Sequence, residues 1–136
     1  MTFFAPTKAN LAAFNNDGFF IVENLLDAEE TELLAKIARA DQQLAMQVSS
    51  RADGEGGAVD LLVENELGEN IYSAIVRSER VASTMERLLD DEVYHYHHKM
   101  ILKGPRTGGA WAWHQDYGYW YHNGCLHPTM ASCLIA

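Results

Sequence analysis

The sequence predicts an α+β protein in which helices come first and sheet strands follow. Three observations carry that expectation. Apolar residues in the first two thirds recur at helical spacing, most clearly Leu33, Leu34, Ile37, Ala38 and Leu44. From Glu92 the period drops from 3.6 to 2, as in extended chain whose side chains alternate between two faces. A length of 136 residues suits one domain with a core of its own and is short for two. The expected organisation is a single domain, 1–136, with a helical part over about 1–91 and strands over about 92–136.

Residues 7–16 read as a short helix with Thr7 at its N-cap and with Leu11 and Phe14 three apart on one face. Asp17-Gly18 ends it. Phe19-Phe20-Ile21-Val22, aromatic and β-branched, reads as a buried strand closed by Glu23-Asn24. Asp27 with Glu30 three residues on begins a capping box, and the apolar face behind it predicts a scaffold helix over about 28–46. Arg51-Ala52-Asp53-Gly54-Glu55-Gly56-Gly57 has the composition of a mobile loop. Val59-Asp60-Leu61-Leu62-Val63 is a strand or a lone turn beside it. Residues 69–76 and 79–90 read as two helices, the second capped by Ser78 and carrying Val81, Met85, Leu88 and Leu89 inward; Asp90-Asp91 ends the helical half.

In the strand expected over 93–103, Val93, His95, His97, Lys99 and Ile101 share one face and Tyr94, Tyr96, His98, Met100 and Leu102 the other. Gly104-Pro105-Arg106-Thr107-Gly108-Gly109 is the turn, its glycines setting the register of a returning strand over 110–115. Residues 117–123 form an aromatic loop or irregular strand, and 129–136 an apolar strand that stops without turn, cap or polar tail. An apolar strand left at a sheet edge is an aggregation hazard. The expectation is therefore that these residues are the N-terminal part of a longer protein.

Composition narrows the function. A hydrophobic content of 48% with 21% charged residues argues against global disorder. A net charge of −9 argues against a nucleic-acid backbone as partner, because no excess of Lys or Arg exists to displace counterions. No apolar run approaches the roughly 20 residues needed to span a bilayer, and the first residues have neither the basic nor the apolar region of a secretory signal. The two cysteines, Cys125 and Cys133, lack Cys-x-x-Cys spacing and suit reduced thiols. Together these features predict a cytoplasmic protein with neither nucleic acid nor membrane as partner.

The candidate site is Trp113-His114-Gln115-Asp116-Tyr117. On a strand His114 and Asp116 point to one side while Gln115 points away, so an imidazole and a carboxylate can meet one ion. Those are two of the three ligands of the 2-His-1-carboxylate facial triad. By itself the tripeptide reads more simply as a polar pair on a surface strand. His95 and His97 have a chelating spacing too, although aromatic interleaving reads more simply as alternating sheet residues. Trp111, Trp113, Tyr117, Tyr119 and Trp120 line a substrate cleft or pack the sheet.

The neighbours of the pair add a resemblance. Lys99-Met100-Ile101-Leu102-Lys103, Gly104-Pro105, Gly108-Gly109, Trp113 to Trp120 and Ser132 to Ala136 resemble the phytanoyl-CoA dioxygenase family of Fe(II)/2-oxoglutarate-dependent oxygenases. Phe14 to Leu26 is similar to the opening segment of that family. The resemblance implies a double-stranded β-helix, or cupin-like jelly roll, behind the N-terminal helices. It implies Fe(II) held by His114 and Asp116, 2-oxoglutarate as cosubstrate, O₂ as oxidant, and hydroxylation of a small-molecule C–H bond with formation of succinate and CO₂. Lys99 stands where relatives place a cosubstrate contact, and Lys103 shares its face; a solvated strand face explains both as well. Asn123 either hydrogen-bonds cosubstrate or shapes the turn before Gly124. The family's distal His ligand and its 2-oxoglutarate-pairing Arg have no counterpart in these residues, so weak iron binding and no activity are expected of them alone. Two other readings use the same residues. One is a non-catalytic or degraded relative acting as a binding domain. The other is a cupin-like Zn²⁺ or Fe²⁺ site of another enzyme class, completed by His122 or His127.

Overall fold

A computed structural model of the chain describes residues 4–41, 46–52, 56–104 and 113–136. Its elements are α1 (Lys8–Asp17), α2 (Ala28–Ala40), β1 (Ser49–Ala52), β2 (Ala58–Glu64), α3 (Ile71–Arg77), α4 (Glu79–Leu89), β3 (His98–Leu102) and α5 (Asp116–His122), an α+β arrangement. They fall into two compact units. The first comprises Met1–Ala40, Glu66–Tyr96 and Met130–Ala136, and the second Asp41–Asn65 and His97–Thr129.

The first unit is helical, and short-range capping defines its helix ends. Thr7 Oγ1 accepts from the Asn10 N–H at 3.2 Å while Asn10 Oδ1 accepts from the Thr7 N–H at 2.9 Å, which together satisfy two donors at the start of α1. Gly18 ends the helix at φ 83°, a left-handed conformation open to glycine, with its N–H on the Phe14 carbonyl. The same reciprocal device opens α2: the Asp27 N–H donates to Glu30 Oε2 at 2.9 Å and the Glu30 N–H to Asp27 Oδ1 at 2.8 Å. Helix α2 runs to Ala40, short of the expected 46; Leu44 lies outside the described residues. On its apolar face Leu34, Ile37 and Ala38 are half-buried, whereas Leu33 is exposed.

Asn70 caps α3 by accepting from the Ser73 N–H, and the fully buried Ser73 hydroxyl accepts from the Gly68 N–H at 2.9 Å. Ser78 stands at the N-cap of α4 as expected, yet its hydroxyl donates back to the Ile75 carbonyl at 2.6 Å and makes no capping bond. Asp90 ends α4 in the left-handed region at φ 53°. Val81, Met85, Leu88 and Leu89 are half-buried while Glu86 and Arg87 face solvent, the amphipathic split the spacing predicts. Arg80, on the first turn of α4, reaches the start of α2: its Nη1 donates to the Leu25 carbonyl at 2.7 Å and to Glu30 Oε2 at 2.9 Å, and its Nη2 to Glu30 Oε1. Beside this fork a cavity of about 280 Å³ opens between α2 and α3, walled by Leu26, Leu33, Leu34, Ile71 and Ile75.

Two expected strands of this unit do not form. Residues 19–22 carry no regular structure, with Phe19 64% and Ile21 79% exposed. Residues 129–136 carry no regular structure, and Leu134 is 85% exposed. β-propensity describes how well a side chain fits a paired, half-covered surface. Without a ladder partner these apolar segments stay open.

The second unit holds a three-stranded antiparallel sheet in the order β1-β2-β3, with Ser50 opposite Asp60 and Leu62 opposite Met100. Strands β1 and β2 lie within the part expected to be mainly helical, and β2 contains the Val59–Val63 run read as a strand or a lone turn. Arg51 and Ala52, assigned by composition to a loop, pair with Val59 and Ala58; residues 53–55 lie outside the described set. The central strand buries Val59 and Leu61 to 1% and 3% exposure, the alternation of a one-sided sheet. In β3 His98, Met100 and Leu102 turn inward and Lys99 and Ile101 outward, as their period predicts. The strand begins at His98 and not at Val93 because its partner β2 ends at Glu64, opposite His98.

Candidate functional site

His114 and Asp116 stand at the entrance to α5. The predicted strand over 110–115 is not seen at 113–115; residues 110–112 and most of the Gly-Pro…Gly-Gly turn lie outside the described set. Residues 117–123, expected as a loop or irregular strand, are helical to His122. Asp116 is therefore the first residue of a helix. Gln115, its N-cap, nevertheless keeps an extended backbone, φ −112° and ψ 116°, so the two flanking side chains still turn the same way. His114 Nε2 and Asp116 Oδ1 lie 3.0 Å apart, with the side chains 48% and 44% exposed. The local φ/ψ of one residue, not a sheet, creates the pair.

That separation suits a metal. Two ligand atoms about 2.1 Å from one ion and at right angles to each other lie about 3.0 Å apart. An imidazole nitrogen and a carboxylate oxygen are also the donor types of a non-haem iron site. Among the described residues, no group of three His, Cys, Asp or Glu side chains is placed to hold an ion. His122 and His127 accordingly do not complete the pair. His122 ends α5 with its ring 5.9 Å from that of Tyr121, and the His127 carbonyl accepts from Cys125 Sγ at 3.2 Å. Nor do His95 and His97 form such a group: burial holds the His95 imidazole below its usual pKa, and the His97 ring packs edge-on against Trp120 at 6.5 Å.

The remaining candidates spread over the second unit. Lys99 is on the exposed face of β3, opposite Val63 in register, and Lys103 is exposed just beyond the strand. Asn123 shapes the end of α5, its Nδ2 donating to the Tyr119 carbonyl at 2.8 Å and its N–H to Trp120. Of the aromatic set, Trp120 is buried while Trp113 and Tyr119 are exposed; Trp111 is outside the described residues. Tyr117 lies 6.3 Å from Tyr121, one turn on, and burial raises the pKa of its hydroxyl. Sequence reasoning missed the packing role of Trp120 against His97.

Comparison with known proteins decides the family. The family model described as phytanoyl-CoA dioxygenase (PhyH) matches residues 14–136. The chain belongs to the phytanoyl-CoA dioxygenase family. Similar relatives include the ectoine dioxygenase of Stutzerimonas stutzeri, 26% identical over an alignment of 136 residues that covers 96% of this chain and 45% of that protein. The ectoine dioxygenase of Bordetella bronchiseptica is 30% identical over 135 residues, 96% of this chain and 44% of that protein. A shorter match, 35% over 54 residues, is to the L-proline trans-4-hydroxylase of Streptomyces griseoviridis and covers 40% of this chain and 20% of that enzyme. The chain spans a little under half the length of the ectoine dioxygenases it matches. No solved structure matches it. Among the described residues no helix is long and apolar enough to cross a membrane.

Proposed function

We propose that this chain carries two of the iron ligands of an Fe(II)- and 2-oxoglutarate-dependent dioxygenase, His114 and Asp116. The observation that carries the reading is the 3.0 Å approach of His114 Nε2 to Asp116 Oδ1 inside a segment matched by the family. When bound, Fe(II) with 2-oxoglutarate and O₂ supplies the chemistry: oxidative decarboxylation to succinate and CO₂, coupled to hydroxylation of a small-molecule C–H bond. The chain's own residues bind and orient. His114 would offer an imidazole nitrogen and Asp116 a carboxylate oxygen, two of the three protein donors of a facial triad. Lys99 and Asn123 are assigned to the cosubstrate, Lys99 by charge toward a carboxylate.

The named substrates of the relatives, ectoine and L-proline, are small nitrogen-containing compounds with a carboxylate, and a substrate of that class is proposed here. A three-stranded antiparallel sheet before the pair is compatible with the opening strands of a jelly roll. With two protein ligands the 136-residue chain alone binds iron weakly and forms no succinate.

The reading is tested by titrating the chain with Co(II), an optical substitute for Fe(II). Binding in the wild type that is lost in both His114→Ala and Asp116→Ala is expected. Equal binding by either variant overturns the assignment. A non-catalytic relative shares that metal binding, and 2-oxoglutarate turnover by a protein extended to the length of the relatives separates the two readings.

A further inference from the structure

We propose that Trp120, seated against His97, is the positioning residue for Asp116; this rests on the reading of Asp116 as a metal ligand. Helix α5 is only seven residues long, and Trp120 is its one buried side chain. Asp116 and Trp120 are four residues apart, so they lie above one another on one face, about 6 Å apart along the axis. The Trp120 ring meets the His97 ring edge-on, centroids 6.5 Å apart at 62°. His97 is the residue before β3, and the next residue, His98, is already in register with Glu64 of β2. The ring that receives Trp120 therefore sits at the edge of the hydrogen-bonded ladder.

The backbone fastens the same point. The Trp120 carbonyl accepts from the Asn123 and Cys125 N–H groups, each at 3.0 Å. So α5 is anchored one turn beyond Asp116, while the Asp116 side chain itself is nearly half exposed. A metal ligand has to be held within about 0.5 Å and 10–20° of its working geometry. A short aromatic helix does not achieve that by propensity, since Tyr, Trp and Gly are indifferent or poor helix formers. The Trp120–His97 contact supplies the missing constraint, and the angle at which Asp116 meets His114 depends on it.

The test uses the whole chain with Co(II) as probe, reading affinity and the d–d absorption bands, which report ligand geometry without turnover. Trp120→Ala and His97→Ala are expected to weaken Co(II) binding about 10-fold or more, as loss of support around metal ligands does, and to alter the bands. Trp120→Phe and His97→Phe keep an edge-to-face ring pair and are expected to stay within about 3-fold of wild type with its spectrum. Tyr119→Ala, on the exposed side of the same helix, is expected to change neither. A folded Trp120→Ala with wild-type affinity and bands overturns the proposal. Should Trp120→Ala not fold, His97→Ala decides in the same way. If His97→Phe falls as far as His97→Ala, the ring contact is not the constraint and the proposal fails. A wild-type chain without Co(II) binding, or an Asp116→Ala chain that binds normally, shows instead that Asp116 is no ligand.

Discussion

Two acid–base pairs, one in each unit, are built differently. Glu30 and Arg80 are 50 residues apart in sequence, their side chains 35% and 17% exposed, and their contact fastens the start of α2 to α4. Every bond described for the fork is to the protein: Arg80 also holds the Leu25 carbonyl, and Glu30 also receives the Asp27 N–H. The Arg80 hydrogen bonds, followed by that backbone bond, lower the Glu30 pKa to about 2. His114 and Asp116 are two residues apart and about half exposed. Their contact closes almost no chain, so as a fastener it does little. This imidazole and carboxylate, about half open to solvent, are the groups proposed above as metal ligands. The two pairs thus differ in reach: one joins the starts of two helices, the other two near neighbours in sequence.

The largest expected effect tests that division directly. Arg80→Ala removes three hydrogen bonds described here and leaves the Glu30 carboxylate without its cation, so the unfolding midpoint is expected to fall by about 5 °C or more. His114→Ala touches a half-exposed side chain and is expected to stay within about 0.5 kcal/mol of wild type. Co(II) binding is expected to reverse the order, surviving Arg80→Ala and disappearing in His114→Ala. If both variants lose stability alike, the exposed pair is also a structural fastener and the contrast collapses.

A smaller effect sharpens the comparison by pH. The Glu30 carboxyl is depressed from an ordinary 4.5 to about 2, so its contribution is fully present above pH 4.5 and is lost as the pH falls toward 2. The difference in unfolding midpoint between wild type and Glu30→Gln is therefore expected to be constant above about pH 5 and to close below it. A difference that has already vanished at about pH 6 would mean that the ion pair does not stabilise the fold in this way.

What the sequence reveals divides along the same line between local and distant causes. The caps at Thr7 and Asp27, the stop at Gly18 and the alternation of β3 over 98–102 depend on residues within a few positions of one another, and all are legible. The strands expected at 19–22 and 129–136 are absent because pairing requires a distant partner that propensity does not specify. The start of β3 at His98 has the same origin, since it is set by where β2 ends. Helix α5 escaped notice because its Tyr, Trp and Gly composition carries no helical signature. At the site, the pairing of His114 with Asp116 was legible for a reason that proved narrower than expected: an extended Gln115 suffices without a strand. The anchoring of Asp116 through Trp120 and His97 joins residues far apart in sequence, and spacing alone does not reveal it.

The smallest predicted effect separates the two supports of Glu30. Asp27→Ala deletes the carboxylate that accepts from the Glu30 N–H at 2.8 Å, half of the capping box of α2, and is expected to cost about 1 kcal/mol. It keeps the backbone N–H of residue 27 that donates to Glu30 Oε2, and it leaves the Arg80 fork in place. Because the Arg80 hydrogen bonds are the leading cause of the depressed Glu30 pKa and that backbone donor is the next, the pH window below 4.5 is expected to persist in the Asp27→Ala background. Repeating the comparison with and without Glu30→Gln in that background measures it. A window that closes with the cap would place the control of Glu30 in α2 itself, and the pair would then resemble His114–Asp116 in being a local device. A window that persists leaves Arg80 as its cause, with Glu30 committed to a contact between helices.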